Sequence, residues 1–417
     1  MNILFLCHRI PYPPDKGEKI RAYHMLAHLA EKHTVHLAAF VDDPADMAHA
    51  DALRRIAKGE CLFVPLNRAM VTTRMALAML TGKPLTTSYF AGRAMQDWID
   101  SMLKRMDRAV VFSSAMAPFL MGRPGFDLAL AVLDMVDVDS DKWQQYAAVE
   151  RGPKAWIYGR EARTLLKLER QAASAFGATL LVSPFEAHTM AELAPESRAR
   201  IHSMANGVDL EHNNPALSFE NPFPTDVLPL VMVGTMDYRP NVEGALWFAE
   251  EILPRIQARI PEARFYVVGA KPVAELLKPR PGVFVTGRVE DVRPYVSHAA
   301  AVVAPLRLAR GVQNKVLEGM AMQRPVVATV PASRGLEVTP GQDLWVEDEP
   351  AAFAKAVIAA ATGPDRERIA ENGRRRVQRD YAWRETLSVL DRLLEAEPAS
   401  AAAASYWNRE PLREGAE

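Results

Sequence analysis

Short apolar runs alternate with stretches of helical periodicity along nearly the whole chain, and this alternation restricts the fold more than any other feature. Residues 2–6 read as a buried strand, followed by the proline-rich loop HRIPYPPDKGEK and a helix in which Ile20, Tyr23, Leu26 and Ala30 recur at helical spacing. Further strands are predicted at 35–41, 108–112, 128–136 and 178–182. A second series begins at 230–233, closed by Gly234, and continues into a helix over 242–260 capped by Asn241. That helix buries Ala245, Ala249, Ile252, Ile256 and Ile260; strands at 264–268, 283–285, 301–304 and 325–328 follow, then a long helical stretch over 364–396. Parallel strands need long crossover connections, so the pattern predicts an α/β fold with two doubly wound, Rossmann-like halves.

The 417 residues are too many for one ordinary core. An N-terminal domain is expected over 1–205, a linker over 206–226 where HNNPALSFENPFPT is rich in turn formers, and a second domain over 227–385. Residues 386–417 read as a helix end and a disordered, alanine-rich tail. The formal net charge of -1 offers no field to gather nucleic acid. Cys7 and Cys61 sit in apolar, strand-like runs and read as buried, reduced thiols.

The opening MNILFLC stops at His8 without the basic flank or length of a signal peptide, and no apolar run approaches the ~20 residues that span a bilayer. A cytoplasmic location is expected. Residues 68–80, RAMVTTRMALAML, are apolar on much of their surface. Packing beneath a loop is the favoured reading; an interfacial helix in peripheral contact with the inner membrane is the alternative.

Ligands of open α/β sheets bind beyond the carboxyl ends of the strands, so two such sheets would face each other across a cleft. Residues 301–329 read strand, loop, helix, strand, with Gly311 just before the helix start. Free amides and the positive dipole end there suit a diphosphate. Lys315 and Glu318 lie three apart on the polar side of that helix. They read either as a leaving-group lysine with a ribose-binding glutamate, or as a solvated pair.

In the first half, Gly17 would allow close backbone approach, and Lys16, Lys19 and Arg21 line an acceptor phosphate or a solvated helix start. Asp134, Asp137, Asp139 and Asp141 form the densest acidic cluster. Asp137-Val-Asp139 has the DxD pattern of a metal site, but the favoured reading is acceptor hydroxyl binding or helix capping. The histidines show no metal-ligand spacing and nothing besides the aspartate cluster resembles a metal site, so no metal is expected; Walker-type and Gly-x-Ser-x-Gly motifs are absent as well.

Glu318, Met320, Ala321, Pro325, Val326 and Val327 resemble the "EAMA.G.PVV" run in the C-terminal signature of family-4 glycosyltransferases. Asn206, Gly207, Val208 and Asp209 match the "NGVD" that joins the two domains of such enzymes, and TMDYRPN is similar to "GSMDY.PN". PPDKGEKIR and LDMVDVDSDKW look like the sugar transferase group associated with exosortase/PEP-CTERM exopolysaccharide systems. The resemblance implies a GT-B fold and transfer of a hexosyl group from a nucleoside diphosphate sugar to a saccharide or lipid-linked saccharide. Retention at the anomeric carbon, a role in exopolysaccharide biosynthesis and no bound cofactor besides the donor substrate are further implications.

In that light donor binding is expected of Gly234, Arg239, Gly311, Asn314, Lys315 and Glu318, and catalysis of Lys315, Glu318 and Arg310. The acceptor side is expected at Gly17, Lys19, Ser113, Asp137 and Asp139. The sequence departs from the family twice: Arg310 replaces the first glutamate of a pair, and Ser113 and Ser114 stand where many relatives carry a histidine. Two rival readings are a nucleotide-sugar 2-epimerase and a non-catalytic sugar-nucleotide-binding scaffold.

Overall fold

The structure is a computed structural model that describes residues 1–14, 17–309 and 311–397. The chain divides into two compact units, Met1–Ala205 with the chain from Leu387 onward, and Asn206–Thr386. In the first unit β1 (Asn2–Cys7), β2 (Thr34–Val41), β3 (Lys58–Pro65), β4 (Arg108–Phe112), β5 (Ala131–Val136), β6 (Ala178–Leu181) and β7 (Ile201–Ser203) form one sheet, in the order β3-β2-β1-β4-β5-β6-β7. In the second, β8 (Leu228–Val233), β9 (Ala263–Val268), β10 (Val283–Gly287), β11 (Ala301–Ala304), β12 (Val326–Ala328) and β13 (Trp345–Val346) follow the order β10-β9-β8-β11-β12-β13. All pairings in both sheets are parallel.

Both sheets are wound the same way. The chain starts in the middle, steps to one edge, then returns to the other side of its first strand. The reversal falls between β1 and β4 in the first unit and between β8 and β11 in the second, and such switch points open a crevice at the strands' carboxyl ends. The strands flanking them are continuous apolar runs, buried from Ile3 to Cys7 and from Ala301 to Ala304, because helices cover both faces.

The strand-like run at Cys61 is β3, and two further strands, β7 and β13, were not anticipated. β3 is an edge strand whose Cys61 is half-buried, not buried as expected. β7 and β13 hold only three and two residues, too few to carry a period. β5 starts later than predicted because Leu128–Leu130 form a 3₁₀ turn, with the Ala129 amide donating to Asp127 Oδ1 at 2.9 Å.

The helix expected over 242–260 begins at Arg239, with Asn241 inside it and not at its cap. A π turn at Phe248–Ile252 interrupts it before Leu253–Gln257. Pro254 has no amide to donate and its ring crowds the preceding turn, which the wider turn relieves. The extra residue moves burial to Phe248 and Leu253 and leaves Ala249 and Ile260 half-buried.

The stretch expected over 364–396 is two helices, Arg366–Asp380 and Trp383–Glu395. At the break between them the Val208 amide donates to the Tyr381 carbonyl at 2.7 Å. A Cβ on Gly207 would lie 2.6 Å from the Trp383 ring, so only glycine fits this approach. Asn206, Val208, Asn213 and Phe223, from the segment read as a linker, are buried in the second unit. Residues 398–417, read as a tail, lie outside the described residues.

The helix Arg68–Thr81 departs from its favoured reading as well. It buries only Val71 and Ala78 and leaves Met70, Leu77 and Leu80 exposed, since just one of its apolar faces meets the unit's core.

Candidate functional site

The second unit gathers its polar residues at the β8/β11 switch point. Gly234 follows β8 directly and its amide donates to the Val268 carbonyl at 3.0 Å. Gly269, after β9, has φ +149°, and a Cβ there would fall 1.8 Å from the Gly234 oxygen. Glycines at both strand ends thus keep the crevice floor down to bare backbone. After β11 the chain passes Gly311, with φ +60°, and enters the helix Asn314–Ala321. No side chain caps this helix. The Val316 amide already donates to the Gln313 carbonyl at 2.9 Å, so the Asn314 and Lys315 amides are the ones at the helix start that suit an anion.

Lys315, in that first turn, is pinned by Asn241 from the helix after β8. Its Nζ donates to Asn241 Oδ1 at 2.5 Å, while Asn241 Nδ2 donates to the Thr235 carbonyl at 2.9 Å. Gly234 leaves room for this pair, because a Cβ there would come within 2.6 Å of Asn241 Nδ2 and 3.3 Å of Lys315 Nζ. Burial lowers the Lys315 pKa to about 8, against the opposing pull of Glu318. Burial raises the Glu318 pKa in turn, against the pull of Lys315. A desolvated ammonium beside uncapped amides leaves positive charge for an anion to neutralise.

Val316, Leu317, Met320 and Ala321 are buried, which leaves Lys315 and Glu318 together on the helix's other side. Asn314 Oδ1 accepts from Asn206 Nδ2 at 3.3 Å, so the "NGVD" segment reaches this site. Arg239 opens the helix that carries Asn241, and its exposed side chain pairs with Glu243 at 2.6 Å. Arg310 lies outside the described residues. Sequence reasoning missed Asn241 as a lysine anchor, although its place in TMDYRPN, seven residues after Gly234, was a usable signal.

The acceptor-side candidates belong to the first unit. Gly17 opens the helix Gly17–Lys32, and a Cβ there would meet nothing within 4 Å. Lys19 is buried with its Nζ 2.6 Å from Asp46 Oδ2. Arg21 does not lie at a solvated helix start: it is fully buried, with Nε donating to Asp134 Oδ2 at 2.8 Å and Nη1 to the Met204 carbonyl at 2.8 Å. Lys16 lies outside the described residues. Asp134 is thereby withdrawn from the acidic cluster into the core. Asp139 opens the helix Asp139–Val149, with Lys142 Nζ 3.6 Å from its carboxylate, and Asp137 is half-buried just before it. Among the described residues no three His, Cys, Asp or Glu side chains are grouped to hold a metal ion.

Ser113 and Val136 stand just past β4 and at the end of β5, with φ of +83° and +68°. Such backbone is costly for residues other than glycine and concentrates at functional loops. Ser113 Oγ accepts from the Ala115 amide at 3.2 Å. At the neighbouring end of β1, His8 stacks on Phe112 with ring centroids 5.8 Å apart, and its Nε2 lies 3.8 Å from Glu18. Burial pushes the Glu18 pKa up, but His8 and Arg9 outweigh it and bring it down to about 2. His8 and Glu18 were not singled out from the sequence. Their signal was local: a histidine ending the first strand and an acid opening the next helix.

Residues 229–362 match the family profile described as Glycosyl transferases group 1. Comparison with curated protein sequences finds no match. Among solved structures, sucrose-phosphate synthase from Thermosynechococcus elongatus superposes with a TM-score of 0.66 at 17% identity, over 94% of this chain and 98% of that one. WaaG, a glycosyltransferase involved in lipopolysaccharide biosynthesis, gives 0.65 at 17% identity over 94% and 100%. Anabaena HepE in complex with UDP and glucose gives 0.62 at 12% identity over 94% and 99%. With its two parallel, Rossmann-like sheets, the chain has the GT-B fold.

Proposed function

We propose that the chain is a cytoplasmic, retaining glycosyltransferase, in peripheral contact with the inner membrane, that moves a sugar from a nucleoside diphosphate sugar to a saccharide or lipid-linked saccharide in exopolysaccharide biosynthesis. The observation that carries this reading is Lys315, desolvated and held by Asn241 at an uncapped helix start beside Gly234. The match of residues 229–362 to a glycosyltransferase profile supports it, and HepE, a protein of the same fold, is described with UDP and glucose bound.

When the glycosidic bond breaks, charge grows on the leaving diphosphate, and preorganised donors stabilise it without reorganising. The amides of Asn314 and Lys315 and the Lys315 ammonium serve that purpose, with Arg239 and Arg310 as further cations. Glu318, one turn on, accepts hydrogen bonds from ribose hydroxyls. Ser113, Asp137 and Asp139, with Gly17, serve the acceptor side, while the buried Lys19 is engaged by Asp46.

Thermal shift against UDP, GDP, ADP and TDP sugars tests the donor class. Ligand at a hundred times its dissociation constant should add about 2.7 kcal/mol of stability. Interconversion of the donor when it is incubated alone would point to the epimerase, and binding without turnover across an acceptor panel to the scaffold.

Glu318→Ala should weaken nucleoside diphosphate binding by about tenfold and leave the fold intact, the loss of one or two charge-assisted bonds. Equal affinities in wild type and variant by calorimetry would remove the ribose assignment. Gly234→Ala drives a methyl group into the Asn241 amide. Displacing the pinned lysine should cost on the order of tenfold in diphosphate affinity. Unchanged affinity would show that the Asn241–Lys315 geometry does not matter for binding.

A further inference from the structure

Apart from Arg68, Thr72, Thr73, Arg74 and Thr81 the helix Arg68–Thr81 is apolar, and its apolar side chains occupy more than one face. Its Val71 and Ala78 side is covered, yet Met70, Leu77 and Leu80 are 59%, 58% and 86% exposed. With Arg74 these three fall on one stripe, at steps of four, three and three residues. Along the sequence the charge is one-sided: from Cys61 to Gln96 the chain holds Arg68, Arg74, Lys83 and Arg93 and no acidic residue. Glu161, which accepts from the Leu85 and Thr86 amides, is buried. Among the described residues none of Arg68, Arg74 and Lys83 forms an ion pair, while Arg93 meets Asp97 at 3.5 Å.

The helix Pro153–Ala175 is bonded to the same segment. Arg160 Nη2 donates to the Ala78 and Lys83 carbonyls at 2.6 and 3.0 Å, tying this helix to the end of the apolar one. One turn before Arg160 stands Trp156, 60% exposed. Exposed tryptophan, leucine and basic residues are the composition of membrane–water interfaces. A groove of about 610 Å³ opens beside the stripe, with Leu77, Phe119 and Leu168 in its walls and Arg74 and Lys83 among its polar residues.

We infer that this face of the first unit docks on an anionic phospholipid surface, with the helix Arg68–Thr81 lying in the interface. Its 14 residues reach about 21 Å, short of the ~30 Å hydrocarbon core. No described helix is long and apolar enough to cross a membrane. A second copy of the same face is a poorer occupant, because a two-fold contact would set its unpaired arginines against each other. The inference deepens the reading of a lipid-linked acceptor but rests on different atoms, so vesicle binding and donor binding fail separately.

The test is co-sedimentation of the full chain with phosphatidylcholine vesicles, with and without phosphatidylglycerol. Binding is expected only with phosphatidylglycerol and should weaken as salt screens the charges. Arg74→Gln and Lys83→Gln should each lower partitioning about fivefold. Leu77→Asp with Leu80→Asp should lower it more than tenfold, with an unchanged melting temperature and an unchanged shift on adding UDP. Absent binding by the wild type, or undiminished binding by the double aspartate variant, would overturn the inference. So would a dimer that the aspartates abolish without any vesicle binding, which would give the face to a second copy.

Discussion

Lys315→Met is expected to lower kcat and kcat/KM together, by on the order of 10²-fold. The ammonium is held by Asn241 before any ligand arrives, so it is already oriented when the leaving diphosphate gains charge. An interaction that strengthens toward the transition state appears in kcat and not only in KM. A solvated surface lysine would instead change stability by at most about 1 kcal/mol and leave the kinetics alone. The pKa supplies a second reading of the same role. Burial brings Lys315 down to about 8, and only the protonated form stabilises the diphosphate. The kcat/KM of the wild type should therefore fall as pH rises through about 8. Glu318 raises the lysine's pKa, so Glu318→Gln should move that limb to lower pH. Lys315→Met should lose the limb altogether. Steady-state kinetics across pH, with saturating acceptor, decide the matter: a wild-type kcat in the methionine variant would leave Lys315 with a purely structural bond to Asn241.

Arg21→Met is expected to destabilise the protein by about 3–5 kcal/mol. Arg21 and Asp134 are both fully excluded from solvent, and the guanidinium also serves the Met204 carbonyl. Removing the arginine leaves a buried carboxylate without its counter-charge and a carbonyl without its donor. For a unit of this size the melting temperature should fall by roughly 6–20 °C. Replacing both partners, Arg21→Met with Asp134→Leu, should recover much of the loss, because two apolar groups leave no buried charge behind. Calorimetry of the three variants tests this directly. A single variant that melts within a degree of the wild type would show that the pair contributes little, and a double variant as unstable as the single one would place the cost in packing.

What the sequence determined by itself was the set of strands whose chemistry allows one reading. β1, β4, β8, β9 and β11 are covered on both faces, so they must be continuous apolar runs, and such runs between helical stretches lead to parallel sheets. The Lys315–Glu318 pair was legible for a similar reason: three residues along a helix put them on one side whatever surrounds them. Tertiary structure decided the rest. Arg21 and Lys19 have the same charge and neighbouring positions in one helix, and nothing local says that Asp134 and Asp46 will meet them in the core. Asn241 looked like a helix cap because that is what asparagine does locally; its bond to Lys315 joins residues 74 apart and exists only once β8 and β11 lie side by side. Periodicity likewise marked the helix Arg68–Thr81 as apolar without saying whether a partner covers both faces, since a repeat records which side chains avoid water and not what the fold supplies to shield them.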